Sequence, residues 1–144
     1  MKLKDVQDFL KKITPKDSYK DYYDRDFQFK EVIIQGNLQQ TLELHFYDDE
    51  DQSTNFEGLV PVQNYVRFQG KNYSVKECAI DLISFWFYTK EDTKQLVDKI
   101  YNLMNTEEMD IFSVNHYYGN FISDDYYLFK KGNVMYSLSL GAND

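Results

Sequence analysis

The sequence has few of the residues on which several common kinds of protein depend. Its 144 residues contain a single cysteine, Cys78, so no disulfide can form within the chain and a disulfide-stapled secreted scaffold is excluded. There are two arginines, Arg25 and Arg67, and 16 basic residues in all against 24 acidic ones, which gives a net charge of −8. A protein that binds nucleic acid through its phosphates needs a positive surface. We therefore expect no direct contact with nucleic acid.

Long apolar runs are also missing. The longest mostly apolar stretch, Leu82 to Tyr88, is far shorter than the roughly 20 residues that span a bilayer. Lysines and aspartates interrupt residues 1–13, so these residues have no apolar core of the kind found in a signal peptide. The sequence thus predicts a cytoplasmic protein with no membrane segment.

What is present is enough for a folded domain. Hydrophobic residues make up 42% of the chain and aromatic residues 17%, which excludes a mainly disordered acidic tail. A chain of this length can bury most of its apolar surface without disulfides. No repeat or low-complexity linker interrupts the sequence, so residues 1–144 are predicted to form a single compact acidic domain.

Two segments show the apolar periodicity of a helix. Apolar residues recur at helical spacing over residues 3–13, and Thr14-Pro15 supplies a stop because the residue before proline avoids the helical region. A second helix is predicted near residues 90–105, with Thr89 as its N-cap and acidic residues in its first turn.

Elsewhere the apolar period changes to two, which is typical of half-buried strands. Residues 79–88 fit a buried strand or a buried helical turn, and their aromatic content favours a strand. The fold class is therefore predicted to be α+β: an antiparallel β-sheet built from about three hairpins, with the N-terminal helix and the helix near residues 90–105 packed on one face. The predicted hairpins are residues 27–35 with 38–46 around Gly36-Asn37, a strand from Val60 to Phe68 with a return strand from Tyr73 around Gly70-Lys71, and residues 127–131 with 134–140 around Gly132-Asn133.

Residues for catalysis and metal binding are scarce. The chain has two histidines, His45 and His116, and Cys78 precedes an apolar stretch that is typical of a buried thiol. The acidic run 48–51 does not have the spacing of a calcium loop, and the six glycines are never clustered as phosphate-binding loops require. We therefore expect no catalytic residue, metal ligand or cofactor. A pair of carboxylates brought together by the fold stays open as an alternative, a small carboxylate-based enzyme.

The remaining feature is a set of four clusters of acidic residues, which lie at predicted loops or at the ends of predicted helices and strands. Three of the clusters are bordered by tyrosine. Solubility alone explains such acid, and tyrosine also suits half-buried strands. Tyrosine is in addition enriched at binding hot spots, and the chain has 13. The predicted partner-binding residues are Asp21, Tyr22, Tyr23, Asp24 and Asp26; Tyr47, Asp48, Asp49, Glu50 and Asp51; Glu107, Glu108 and Asp110; and Asp124, Asp125, Tyr126 and Tyr127.

An acidic, tyrosine-bearing surface is complementary to a basic protein. The leading hypothesis is a non-catalytic inhibitor, of phage or mobile-element type, whose carboxylates mimic phosphates and block a basic nucleic-acid-binding enzyme. Anti-restriction and anti-CRISPR inhibitors share these bulk properties, although the chain has no motif specific to them. The alternative is an immunity protein that neutralises a cationic toxin. The sequence leaves the oligomeric state open.

Overall fold

The computed structural model describes residues 1–16, 24–65, 73–116 and 121–143. Short 3-10 turns occupy residues 62–64 and 84–86. None of the helices in these ranges has both the length and the apolar character that crossing a membrane requires. The helices are α1 (Leu3–Ile13), α2 (Leu38–His45), α3 (Val75–Ile83) and α4 (Lys90–Leu103); the strands are β1 (Asp24–Glu31), β2 (Tyr47–Asp48), β3 (Ser53–Thr54), β4 (Phe56–Pro61), β5 (Asp110–His116), β6 (Phe121–Lys131) and β7 (Val134–Asn143).

Five strands form one sheet in the order β1-β7-β6-β5-β4, and every neighbouring pair is antiparallel. Strands β2 and β3 form a separate two-stranded ribbon. The edges of the large sheet are therefore β1 and β4. This arrangement confirms the predicted α+β class with an antiparallel sheet and an N-terminal helix.

The sheet is covered on both faces. On one face, which we call the three-helix face, α1, α3 and α4 pack against apolar side chains of the sheet such as Phe29, Phe129 and Leu138. On the other, the α2 face, Leu42 packs against Leu128 and other sheet residues in a smaller core. The predicted packing of α1 and α4 on one face is confirmed, and α2 is an addition on the opposite face.

Three local predictions agree with the structure. Helix α1 ends at Ile13, directly before Thr14 and Pro15. Helix α4 begins after Thr89, whose hydroxyl oxygen accepts a hydrogen bond from the backbone N–H of Asp92 at 3.0 Å. The last hairpin joins β6 to β7 through a turn at Gly132, where φ is +59°. In these segments the local sequence has both a regular spacing of apolar residues and a residue that marks where the helix or strand begins or ends.

The first predicted hairpin is wrong, because residues 38–45 form α2 and not a strand. The Asn37 side chain accepts a hydrogen bond from the Gln40 backbone N–H at 2.8 Å, and Gln40 caps the Asn37 N–H in return. Leucine, glutamine and glutamate are good helix formers. Leucines four apart, Leu38 and Leu42, face the sheet, whereas Leu44 is 67% exposed. The capped start and the helix propensity outweigh the alternating pattern.

The predicted strands at Tyr73 and at 79–88 are also wrong. Val75 begins α3, and Ser74 with Glu77 forms a reciprocal capping box, with the Ser74 hydroxyl accepting from the Glu77 N–H at 3.1 Å. The aromatic run that favoured a strand instead forms the 3-10 turn 84–86, in which Phe85 points outward and Trp86 is buried. The turn predicted at Gly70-Lys71 lies outside the described residues.

We expect Ser74→Ala to lower the free energy of unfolding by about 1 kcal/mol, because it removes the N-cap of α3. Chemical denaturation monitored by circular dichroism measures the effect. Ser53→Ala is the matched control, since Ser53 lies exposed on β3, and its effect should stay within about 0.5 kcal/mol. Equal effects of the two substitutions would contradict the helical cap.

Candidate functional site

Much of the predicted acid lies at one end of the sheet. The antiparallel register places Asp26 opposite Gly141, and Asp124 lies opposite the same glycine from the other side. The β2–β3 ribbon immediately precedes Phe56, which pairs with His116 at the end of β5. Clusters one, two and four are therefore associated with this end, which we call the ribbon end. Asp21, Tyr22 and Tyr23 lie outside the described residues, as does the side chain of Asp24.

The third cluster lies at the opposite end of the sheet, where Asp110 pairs with Lys130. Glu107, Glu108 and Asp110 share a cleft of about 650 Å³ with Lys130, Lys131 and Lys76. The lysines offset the negative charge there. This cluster is therefore distant from the ribbon end and, unlike it, lies beside basic residues.

The tip of the β2–β3 ribbon is an exposed part of the ribbon end. Asp48 organises it, since its Oδ1 accepts hydrogen bonds from the backbone N–H groups of Glu50 at 2.9 Å and Asp51 at 3.3 Å. Asp49, Glu50 and Asp51 are exposed, and Tyr47 is 49% exposed beside them. The ribbon thus presents three carboxylates and one phenol on an ordered turn.

The ribbon is anchored to the helix before it. The Thr54 hydroxyl donates to the backbone carbonyl of Glu43 at 3.2 Å, and the Asn55 N–H donates to the carbonyl of Phe46 at 2.9 Å. These bonds join the carboxyl end of α2 to the base of the ribbon. Helix and ribbon therefore form one acidic structural unit.

The whole of residues 31–65, here called the acidic segment, contains no lysine or arginine. Outside this segment, the remaining 17 of the 24 acidic residues are nearly balanced by the 16 basic residues of the chain. Nearly the entire net charge of −8 therefore belongs to this segment. The sequence predictions found the run 48–51 but missed its setting, although a plot of charge along the chain would have revealed it. Its seven acidic residues are Glu31, Glu43, Asp48, Asp49, Glu50, Asp51 and Glu57.

The acidic segment also exposes large apolar side chains. Ile33 is 71% exposed, Leu44 is 67% exposed, and Tyr65 is 48% exposed. Ile33 and Leu44 both line a cleft of about 440 Å³ between the end of β1 and α2. Exposed apolar groups set among charges are typical of a protein-binding surface.

The fourth predicted cluster is mostly internal. The ring of His116 lies with Nε2 3.0 Å from Asp124 Oδ2 and Nδ1 3.2 Å from the Val114 carbonyl oxygen, and only 6% of the His116 side chain and 11% of the Asp124 side chain are exposed. Burial lowers the pKa of His116, but the hydrogen bonds to Asp124 and Val114 outweigh it and the pKa lies above its ordinary value. Since both ring nitrogens face acceptors, this pair stabilises the protonated ring and leaves no nitrogen to act as a general base on a substrate.

A second hydrogen-bonded pair, in which Tyr126 is buried and His45 is exposed, lies next to the first. The Tyr126 phenol oxygen is 3.0 Å from His45 Nε2, and the Phe46 ring packs against both Tyr126 and His116. Burial raises the pKa of Tyr126 to about 12, and burial together with Lys30 lowers the pKa of His45. Both groups are therefore neutral at pH 7 and share a hydrogen bond that ties α2 to β6.

Asp125 and Tyr127 point to the three-helix face. The Trp86 indole N–H donates to Asp125 Oδ2 at 2.6 Å, and burial raises the pKa of this carboxyl. Tyr126 and Tyr127 are each only 4% exposed. The fourth cluster therefore contributes mainly to packing, and the exposed acidic residues of the ribbon end belong to the acidic segment.

The described residues offer little for nucleophilic or metal chemistry. Cys78 is buried on the three-helix face, away from the histidines of the α2 face, and burial and the nearby Asp81 raise the pKa of its thiol. Among these residues no group of three or more histidines, cysteines and carboxylates is arranged to hold a metal ion. The arrangement is suited to binding through surface charge.

Asp124→Asn is expected to lower the free energy of unfolding by about 1.5–3 kcal/mol, because it removes the charged partner of the buried His116 ring. Asp49→Asn makes the same chemical change on the exposed ribbon, where an effect within about 0.5 kcal/mol is expected. Denaturant titration of both variants compares them. Similar losses would show that Asp124 is not held as described.

The His116 pair also predicts a pH dependence of stability. A histidine whose folded pKa is raised contributes stability below its unfolded pKa of about 6.5, and that contribution is lost as the pH rises through the folded value. The free energy of unfolding should therefore fall as the pH rises above about 6.5, and His116→Gln should flatten this slope. His45→Gln is the control, because the lowered pKa of His45 places its effect below about pH 6.5. A slope unchanged by His116→Gln would contradict the prediction.

Comparison with known proteins assigns no family to this chain. No family model matches it, and neither a curated protein nor a solved structure matches it. Its function is therefore inferred from charge, burial and geometry.

Proposed function

We propose that this protein is a non-catalytic inhibitor that binds a basic, nucleic-acid-handling enzyme through its acidic segment. The carrying observation is the segregation of charge: seven acidic residues and no basic residue within residues 31–65, most of them on α2 and the β2–β3 ribbon. A field of one sign attracts a surface of the opposite sign and speeds association with it. The partner's complementary surface is the basic channel that normally holds nucleic-acid phosphates.

The ribbon tip suits phosphate mimicry. Its turn is held by two hydrogen bonds to Asp48, so Asp49, Glu50 and Asp51 are presented on backbone that is already ordered. Ordering before binding reduces the entropic cost of forming the complex. Carboxylates held in this way accept the same charge-assisted hydrogen bonds from lysine and arginine that phosphate oxygens accept.

Apolar contacts give this surface the means to bind tightly. Ile33, Leu44 and Tyr47 are exposed within the acidic segment. Aromatic and aliphatic anchors surrounded by polar residues are the usual layout of a protein interface. Charge then guides the encounter, and these side chains contribute apolar surface that becomes buried in the complex.

The surroundings of the two histidines and of Cys78 support binding over catalysis. His116 has both ring nitrogens against acceptors, His45 faces the Tyr126 phenol, and the Cys78 thiol is buried with a raised pKa. An inhibitor that occludes a channel needs no reactive group. Such an inhibitor is expected in a phage or mobile element.

Neutralising the ribbon tip tests the proposal. The variant Asp49→Asn, Glu50→Gln, Asp51→Asn keeps Asp48 and so keeps the turn. The control variant Glu107→Gln, Glu108→Gln, Asp110→Asn removes the same three charges at the opposite end of the sheet. Each protein is immobilised and exposed to a nuclease-treated cell lysate at about 0.1 M and at about 0.5 M salt, conditions that differ strongly in electrostatic screening.

We expect the wild type and the control to capture a basic nucleic-acid-binding enzyme at the lower salt and to inhibit it when added in equal amount. The ribbon variant should bind that enzyme at least about tenfold more weakly, since each lost charge pair contributes roughly 0.5 kcal/mol or more. Capture of a basic toxin by the same residues would favour the immunity function. Equal inhibition by the ribbon variant would remove the ribbon from the mechanism.

A further inference from the structure

Strand β1 forms one edge of the sheet and its outer side carries backbone groups that face away from β7. The Val32 N–H donates inward to the Met135 carbonyl at 2.9 Å. Because bonding alternates along an antiparallel strand, even-numbered residues of β1 bond to β7, and Phe27 and Phe29 direct their N–H and C=O groups outward. The Phe29 carbonyl accepts a hydrogen bond from Gln7 Nε2 at 2.9 Å, which confirms this orientation.

A groove of about 550 Å³ runs along this edge between α1 and β1. Gln7 and Leu10 of α1 form one wall, and Phe27 and Phe29 lie along the strand. A groove between an edge strand and a helix is the geometry in which other proteins receive an extended peptide as an added strand. Main-chain hydrogen bonds then hold the peptide, and side-chain contacts select it.

The charge of the groove is opposite to that of the molecule. Four basic residues line it, against one carboxylate, Asp26, whose Oδ1 already accepts a hydrogen bond from Gln28. In a chain of net charge −8 this is a local excess of positive charge, and it lies outside the acidic segment. The four basic residues are Lys11, Lys16, Arg25 and Lys30.

We propose that this groove binds an extended acidic segment of a partner protein, which adds to the sheet as a strand beside β1. The peptide bonds to the outward N–H and C=O of Phe27 and to the N–H of Phe29. While the groove is empty, the flexible Gln7 side chain donates a hydrogen bond to the Phe29 carbonyl. When a peptide binds, a backbone N–H of the peptide takes the place of Gln7 at this carbonyl. The lysines that line the groove select acidic side chains.

A second copy of this chain is a poorer occupant than an acidic peptide. Pairing two β1 edges brings the basic groups of both grooves close to one another, and like charges in an interface oppose association. Lysines on an edge strand also discourage edge-to-edge pairing. Charge complementarity therefore favours an acidic partner segment.

The test uses the full chain and a blocked peptide of about six residues, the usual length of a strand, with alternating glutamate and valine. Two comparison peptides separate the contributions: one replaces glutamate with lysine, and one keeps the glutamates but carries N-methyl groups at alternate backbone positions. Calorimetry measures binding, and amide chemical shifts locate it. We expect saturable binding of the first peptide alone, with the largest shifts at Phe27 and Phe29.

Two double variants test the basic groups. Lys11→Gln with Lys30→Gln should weaken binding about tenfold, whereas Lys94→Gln with Lys131→Gln, two exposed lysines elsewhere, should leave it unchanged. Equal binding of the N-methylated peptide would overturn strand addition. A dimer of the free protein with shifts along β1 would assign the edge to a second copy, and no binding of the acidic peptide at all would mean that Gln7 and the lysines only protect the edge.

Discussion

The alternation of side chains along β6 is the constraint on which the rest of this fold depends. Leu128 and Phe129 are adjacent and both fully buried, one on each face of the sheet. A strand that is apolar on both faces requires a layer of structure on each side. Helices α1, α3 and α4 supply one layer, and α2 supplies much of the other. With both faces covered, solvent reaches the sheet chiefly at its ends and edges.

Polar groups that the strands carry inward are satisfied locally. Asp124 pairs with His116, Asp125 accepts from the Trp86 indole, and the Tyr126 phenol bonds to His45. These contacts join strands β5 and β6, helix α2 and the segment after α3 at the ribbon end. Buried polar groups are costly without partners, so these pairs specify how α2 and the turn 84–86 dock on the sheet. These contacts also hold Asp124 and Asp125 inside the fold, apart from the exposed acidic residues of the ribbon.

Charge is distributed unevenly over what remains exposed. The acidic segment carries most of the net charge, whereas the groove beside β1 gathers basic residues. Partners of opposite charge are therefore proposed for two different surfaces. The proposed basic enzyme at the acidic segment and the proposed acidic peptide at the β1 edge would contact different residues.

The sequence by itself determined the fold class, the two helices with strong period and stop or cap signals, and the hairpin around Gly132. It did not determine α2 and α3, because short segments with apolar residues at both two- and four-residue spacing fit either structure until caps such as Asn37 and Ser74 and the opposing sheet decide. The same holds for the site. Asp49 and Asp125 are the same residue type in similar acidic runs, yet the first lies on an exposed turn and the second faces Trp86. The tertiary structure makes that difference, because it leaves Asp49 on a turn outside the large sheet and places Asp125 within β6, where alternation directs its side chain to the three-helix face.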